Sequence, residues 1–291
     1  MSRAFTAGFA VLALAWAAPA VAQTASGAFT AQPGASINPK VAAAYSVRDQ
    51  FNPRQRHIEV ILSTTAVDVA KAVAELGPHE VVINDPAVQG SNYVLLWIDS
   101  DGKVSMNATF GKTMTQYVDR TDNSTLKAEL TTNTKDKVAG RVFTPAPVKT
   151  RDGTSYTVDL TFSAPVATPP AATTLPAGGG DPGKALTSFL AARQKKDWAA
   201  LKAAFSPAAT EMFVKSYNND QENLKDALDT MDFWLPNKDA KIVGGQLRGD
   251  MAIVEVEGPL ASGVKVLTVV RMIKGPAGWL FDRAQMAGML P

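Results

Sequence analysis

The feature that most constrains this 291-residue chain is the stretch from Ala164 to Gly180, APVATPPAATTLPAGGG, which has no charge and almost no large apolar side chain. Proline pairs stiffen a backbone toward extended conformations, and the triplet Gly178-Gly179-Gly180 frees it. Such a segment offers a core nothing to bury. It predicts a linker over residues 164–180, with an independent core on either side. Residues 38–163 and 181–291 are each of a length at which a domain folds alone, roughly 100–150 residues. Glycine runs also cradle phosphates, but no Gly-Lys-Ser/Thr follows this one and no strand pattern leads into it, so linker is the reading kept.

The N-terminus carries a second strong pattern. Arg3 is its only charge, an apolar run follows from Ala7 to Ala18, and Ala20-Val21-Ala22 closes it in small residues. This is the layout of a secretory signal peptide over residues 1–22, with cleavage expected after Ala22. The run falls short of the about 20 apolar residues that a membrane-spanning helix needs, and no later run reaches that length, so no span is expected in the mature chain. The Ala-Gln-Ser-rich residues 23–37 have little to bury and are expected to be a disordered lead-in. The alanine-rich style points to a bacterial periplasm, with full secretion as the other destination.

Composition narrows the function classes. The chain has 29 Lys and Arg against 27 Asp and Glu, and loss of Arg3 with the leader leaves one net positive charge. A nearly neutral surface has no long-range field to gather phosphate polymers, so nucleic acid is not an expected partner. The chain has no cysteine. That excludes disulfides, a lipidated cysteine, a thiol nucleophile and zinc–thiolate sites, and leaves the fold to its cores.

Residues 38–163 are dominated by period-two patterns. Val104, Met106, Ala108 and Phe110 alternate with polar residues, as do Tyr156, Val158, Leu160 and Phe162, and Leu126, Ala128 and Leu130. Each places one face on a core and one in water, as antiparallel strands require. Tyr93 to Ile98 is apolar on both faces and reads as a central strand. Ser100-Asp101-Gly102-Lys103 turns it into the next, and Asp152-Gly153 makes a second turn. One helix is expected from Thr65 and Asp68 through Val67, Ala70, Val73 and Leu76 to a stop at Gly77-Pro78. The expectation is a β-rich antiparallel domain, sandwich-like or backed by its helix.

Residues 181–291 run helices first and strands after, so the whole chain reads as α+β. Asp181 suits an N-cap and Pro182 a first helical position. Leu186, Phe189 and Leu190 then make a stripe; Trp198, Leu201 and Phe205 continue it to Ser206-Pro207. Met212, Phe213 and Tyr217 open a third helix, and Leu224, Ala227, Leu228, Met231 and Leu235 show helical spacing with Asp226, Asp229 and Asp232 elsewhere on the surface. Strands read at Lys241–Val243, Met251–Glu257, Val264–Ile273 and Trp279–Met286.

Three helices, a four-stranded meander and the closing segment Gly278 to Ala284, GWLFDRA, resemble the nuclear transport factor 2-like superfamily, which includes polyketide-cyclase-like proteins. The resemblance covers the second domain only. It implies a sheet curled into a cone around a pocket, with Tyr217, Trp234, Trp279 and Asp282 as candidate lining. Members include isomerases and dehydratases as well as non-catalytic binding modules, and a fold does not choose among them. Aromatic stripes usually fill a core, and Asp282 would need burial to raise its pKa before it could act as acid or base.

Other constellations are weaker. His57 and His79, the only histidines, have no second histidine at metal-ligand spacing, and neither a Gly-x-Ser-x-Gly elbow nor a Ser-x-x-Lys after a strand is present. Arg48, Arg54 and Arg56 cluster around the turn Phe51-Asn52-Pro53 and are candidate anion contacts, with Asp49 and Glu59 as possible counter-charges. Arg248-Gly249-Asp250 reads as a hairpin turn. No catalytic residue, metal site or cofactor is predicted. The sequence favours an exported two-domain binding protein for an envelope component, a partner protein or a small apolar ligand. An isomerase- or dehydratase-type enzyme in the cone, and an inhibitor or immunity protein, are the alternatives.

Overall fold

The computed structural model describes residues 23–32, 34–111, 115–120, 125–150, 153–216, 231–236 and 239–291. The leader, Asp152, Tyr217 and Leu224 to Asp229 lie outside these. The chain is α+β, and its described residues form two sheets and three buried clusters.

The first sheet begins where disorder was expected. Strands β1 (Thr24–Gln32) and β2 (Ala35–Ile37) lead into β3 (Val41–Arg48) and β4 (Arg56–Ser63). After α1 (Val69–Ala74) and α2 (Pro78–Ile83) come β5 (Tyr93–Ile98), β6 (Val104–Phe110) and β7 (Thr115–Arg120). Then follow β8 (Lys127–Asn133), β9 (Lys137–Phe143), β10 (Val148–Lys149) and β11 (Ser155–Ala167). The order is β2-β1-β11-β3-β4-β5-β6-β7, with β9 also paired to β11, so the sheet curls over one core.

β1 lacks the apolar content of a strand, yet all nine of its residues pair with β11, from Thr24 opposite Ser163 to Gln32 opposite Ser155. Its Phe29 is fully buried and its ring stacks on Tyr156. A partner strand with a complete row of hydrogen-bonding groups has overridden a weak local preference. The lead-in reading of residues 23–37 is therefore corrected. Gly27 permits the pairing, because its φ is +94° and a Cβ there would lie 2.0 Å from the Asp159 carbonyl oxygen.

The central strands are buried on both faces, which explains the unbroken apolar run of β5. Even-numbered Val60, Leu62, Val94 and Leu96 face the main core. Odd-numbered Ala43, Tyr45, Ile61 and Leu95 face a second cluster completed by Val69, Val73 and Val82 of the helices. The domain is both a curled sheet and a helix-backed one. The single expected helix is two short ones. Asp68, not Thr65, caps α1 by accepting from the Lys71 amide; α1 stops at Ala74 with Glu75 as its C-cap, short of the expected stop at Gly77-Pro78, and that pair instead starts α2, with Pro78 in its first turn.

The predicted linker is built into both sheets. Ala164 and Val166 continue β11 into the first core, while β12 (Thr173–Leu175) pairs with β13 (Lys241–Arg248) and buries Leu175 in the second. Gly178, Gly179 and Gly180 all have positive φ, 84°, 70° and 58°. They form a left-handed turn capping α3 (Gly180–Gln194), so the triplet is a shape requirement rather than slack. Gly179 is the N-cap, and Asp181 sits inside the first turn.

Helices α4 (Trp198–Ala204) and α5 (Pro207–Ser216) follow α3. The sheet then closes as an antiparallel meander, β13, β14 (Met251–Pro259), β15 (Lys265–Gly275) and β16 (Gly278–Met289). Between helices and sheet, Phe189 stacks on Phe281 at 4.3 Å, and Phe205 meets both edge-on. No helix among the described residues is long and apolar enough to cross a membrane.

Candidate functional site

Of the four residues proposed to line a pocket, Trp234, Trp279 and Asp282 lie among the described residues. Tyr217 lies outside the described residues. Trp234 and Trp279 are partly buried against the edge of the second core, whose centre is filled by Phe189, Phe205, Phe213 and Phe281. A cavity of about 370 Å³ lies elsewhere, between α3 and β13, with Thr187, Leu190, Gln194, Asp239 and Ile242 in its lining.

Asp282 is buried, and the reason is local. The register of β15 against β16 jumps from Arg271 opposite Arg283 to Met272 opposite Phe281, leaving Asp282 as the extra residue of a bulge. The bulge turns it inward, where both carboxylate oxygens are taken. Ser206 Oγ donates at 2.6 Å, and Arg271 Nε donates at 2.6 Å. Ser206 in turn accepts from the Ala209 amide at the start of α5. Asp282 is a structural tie between helix, sheet and arginine.

Arg271 continues outward to the first sheet's helices. Its Nη1 donates to Glu75 Oε2 at 2.5 Å, and Arg283 Nη2 donates to the same oxygen. Glu75 is the C-cap of α1, and Arg248 donates to the carbonyl of the preceding Ala74. Two of the three candidate anion contacts serve the same seam. Arg48 pairs with Glu255 and Arg54 with Glu257, two residues on one face of β14. The anions that these two arginines recognise are carboxylates of their own chain. Arg56 makes no ion pair among the described residues. The outer edge of β16 is met by the β3–β4 turn, where the Met289 amide donates to Gln50 carbonyl oxygen. A Cβ on Gly288 would lie 2.8 Å from that oxygen, so glycine lets the two backbones close.

A second constellation lies behind this seam, and sequence reasoning missed it. Glu59 is 3 % exposed on β4. Register places Tyr45 of β3 and Trp97 of β5 directly opposite it on either side, and His57 shares its face two residues away. Tyr45 Oη donates to Glu59 Oε2 at 2.6 Å, and Trp97 Nε1 donates to Oε1 at 2.9 Å. His79, on the first turn of α2, brings Nδ1 to 2.8 Å from Oε2, and His57 Nε2 lies 3.4 Å from Oε1. The only sequence signal was the pair His57-x-Glu59. The rest required the strand register and the return of α2.

The electrostatics favour a charged, inert carboxylate. Burial alone would raise the Glu59 pKa, but hydrogen bonds from His57, His79 and Tyr45 and the charge of His79 bring it down to about 2. Burial likewise pulls His79 down, yet its bond to Glu59 and the charges of Glu59 and Glu80 leave it raised overall. Burial and Glu59 push the Tyr45 hydroxyl well above its ordinary value, so it stays a donor and is no base. Both oxygens of Glu59 are spent on donors pointing from four side chains. Among the described residues no cluster of His, Asp or Glu is arranged to hold a metal ion. No protein-family model matches this sequence, and no match is found among curated proteins.

Proposed function

We propose that this chain is an exported, periplasmic binding protein without catalytic activity, whose second unit is a nuclear transport factor 2-like module. Its partner is an envelope component, a second protein or a small ligand, and not nucleic acid. The observation carrying this reading is the engagement of the groups an enzyme would need. Asp282 has both oxygens committed to Ser206 and Arg271, and the interior beside it is packed with phenylalanine. Glu59, a second buried carboxylate, accepts from side chains of its own sheet and α2, and Asp119, a third, accepts from Tyr156 and Thr125. The leader pattern of residues 1–22 and the absence of cysteine support export of a fold that needs no oxidation.

Two measurements test this. Expression in a Gram-negative host, followed by fractionation and N-terminal sequencing, should give a periplasmic product beginning at Gln23. An unprocessed cytoplasmic product would overturn the export reading. The mature protein, immobilised and challenged with separated peptidoglycan, lipid vesicles and soluble periplasmic proteins, should retain one fraction saturably and chemically unchanged. Turnover of a small molecule that Asp282→Asn abolishes in a folded variant would overturn the non-catalytic reading.

A further inference from the structure

We infer that the turn between α1 and α2 is a pH-dependent latch, in which protonated His79 seated on Glu59 holds the two units of the chain together. Within five residues this turn carries attachments to both units. Glu75 accepts from Arg271 and Arg283 of the second sheet. Gly77 packs so closely on Gln285 of β16 that a Cβ would lie 2.3 Å from its Oε1. His79 then reaches back to Glu59 of the first sheet. Pro78 fixes its own φ between these attachments, so the turn transmits displacement rather than absorbing it.

The seam that this turn holds is incompletely satisfied. Arg248 Nε and Arg283 Nε are buried there with no acceptor among the described residues. Each stranded donor carries a desolvation cost, so the closed arrangement depends on its remaining attachments. Among the described residues the apolar interiors do not cross the seam; the first unit's clusters and the second unit's are separate. What joins the units is therefore mostly charge and hydrogen bonding, which a change of protonation can weaken.

The groups facing His79 and its partner set the direction. From β4 these are Glu59 and His57; from β3, Tyr45; from β5, Tyr93 and the ring of Trp97, 6.4 Å from the imidazole. Glu80 adds negative charge from α2 itself, and Asp49 of the β3–β4 turn lies 4.0 Å from His57. Negative charge dominates this surround, so the imidazolium is favoured. A raised histidine contributes its stabilisation fully below its unfolded value, about 6.5, and loses it as pH rises through the folded value. Glu59 stays ionised down to about pH 2 and does not interfere in that window. The units are thus closed in mildly acidic medium and loosened in alkaline medium.

The absence of cysteine makes the test direct. Lys127→Cys on the first unit and Lys184→Cys on the second, both exposed, carry a donor and an acceptor dye. Energy transfer in the mature chain should be high at pH 5.5 and fall by pH 9. The midpoint should match that of the His79 C2 proton, identified in NMR by its loss in His79→Gln. In His79→Gln the transfer should no longer titrate. Glu75→Gln, which cuts the opposite end of the turn, should lower transfer at every pH while His79 still titrates. A flat wild-type profile, a midpoint matching His57 instead, or a His79→Gln profile that still titrates would each overturn the latch.

Discussion

Replacing Glu59 by glutamine tests the central electrostatic claim, because it keeps the volume and removes only the charge. The neutral amide stands in for a protonated carboxyl, which the fold disfavours. A pKa lowered from 4.5 to about 2, at about 1.4 kcal/mol per pKa unit, corresponds to roughly 3 kcal/mol. An independent route agrees: removing one partner of a buried ion pair costs about 3–5 kcal/mol, because the remaining groups stay buried. The glutamine also offers only one acceptor oxygen, so Tyr45 Oη and Trp97 Nε1 cannot both be served as they are now. For a unit of this size each kcal/mol moves Tm by roughly 2–4 °C, so Glu59→Gln should lower the first unit's transition by about 6–12 °C at pH 7. The sign is checked by acid. A depressed carboxylate stabilises above its unfolded value and loses that stabilisation as pH falls toward its folded one. The gap between wild type and Glu59→Gln should therefore narrow steadily below pH 4.5. Calorimetry on the mature chain reads both quantities. A Tm within 2 °C of wild type at pH 7, or a gap that stays constant into acid, would refute a charged Glu59 as the keystone of this face.

Phe281→Ala removes the ring stacked on Phe189 and should destabilise the second unit by about 3–5 kcal/mol; a separate first-unit transition should stay in place on the same calorimetric trace. Phe29→Ala should cost the first unit a similar amount, about 3–5 kcal/mol by urea unfolding, because the ring is fully buried on Tyr156; a neutral result would restore the picture of a disordered lead-in. Arg193 is buried, and among the described residues its Nε and Nη1 have no partner and its ion pair is to Asp232. Arg193→Met should therefore leave stability within about 1 kcal/mol of wild type, whereas Asp232→Ala should cost more by leaving the cation behind.

The contrast between β5 and β1 shows what periodicity carries and what it does not. Tyr93 to Ile98 is apolar on both faces, and a strand so written can only sit centrally; the structure puts it between β4 and β6. Thr24 to Gln32 is written like a tail, and its place is decided by β11, whose partner groups lie over a hundred residues away in sequence. The glycine triplet makes the same point in reverse. Flexibility and a left-handed turn use the same residue, and only the packing of Gly183 against the Gly178 carbonyl oxygen, 1.9 Å from where a Cβ would stand, distinguishes them. Asp282 was legible as a candidate but not in its role, because the alternation rule that sends neighbouring strand residues to opposite faces fails at a bulge. The Glu59 constellation combines these difficulties. Its members come from three strands and a helix, at positions 45, 57, 59, 79 and 97, and apart from His57-x-Glu59 no local spacing connects them. They become a unit only once β3, β4 and β5 align in register and Gly77-Pro78 starts the helix that returns His79 to the sheet. That same Gly-Pro pair read in the sequence as a terminus. α1 has already stopped at Ala74, and the pair instead starts α2 and aims its first turn at the buried carboxylate, so a signal read as a helix stop is the means by which a charge is placed.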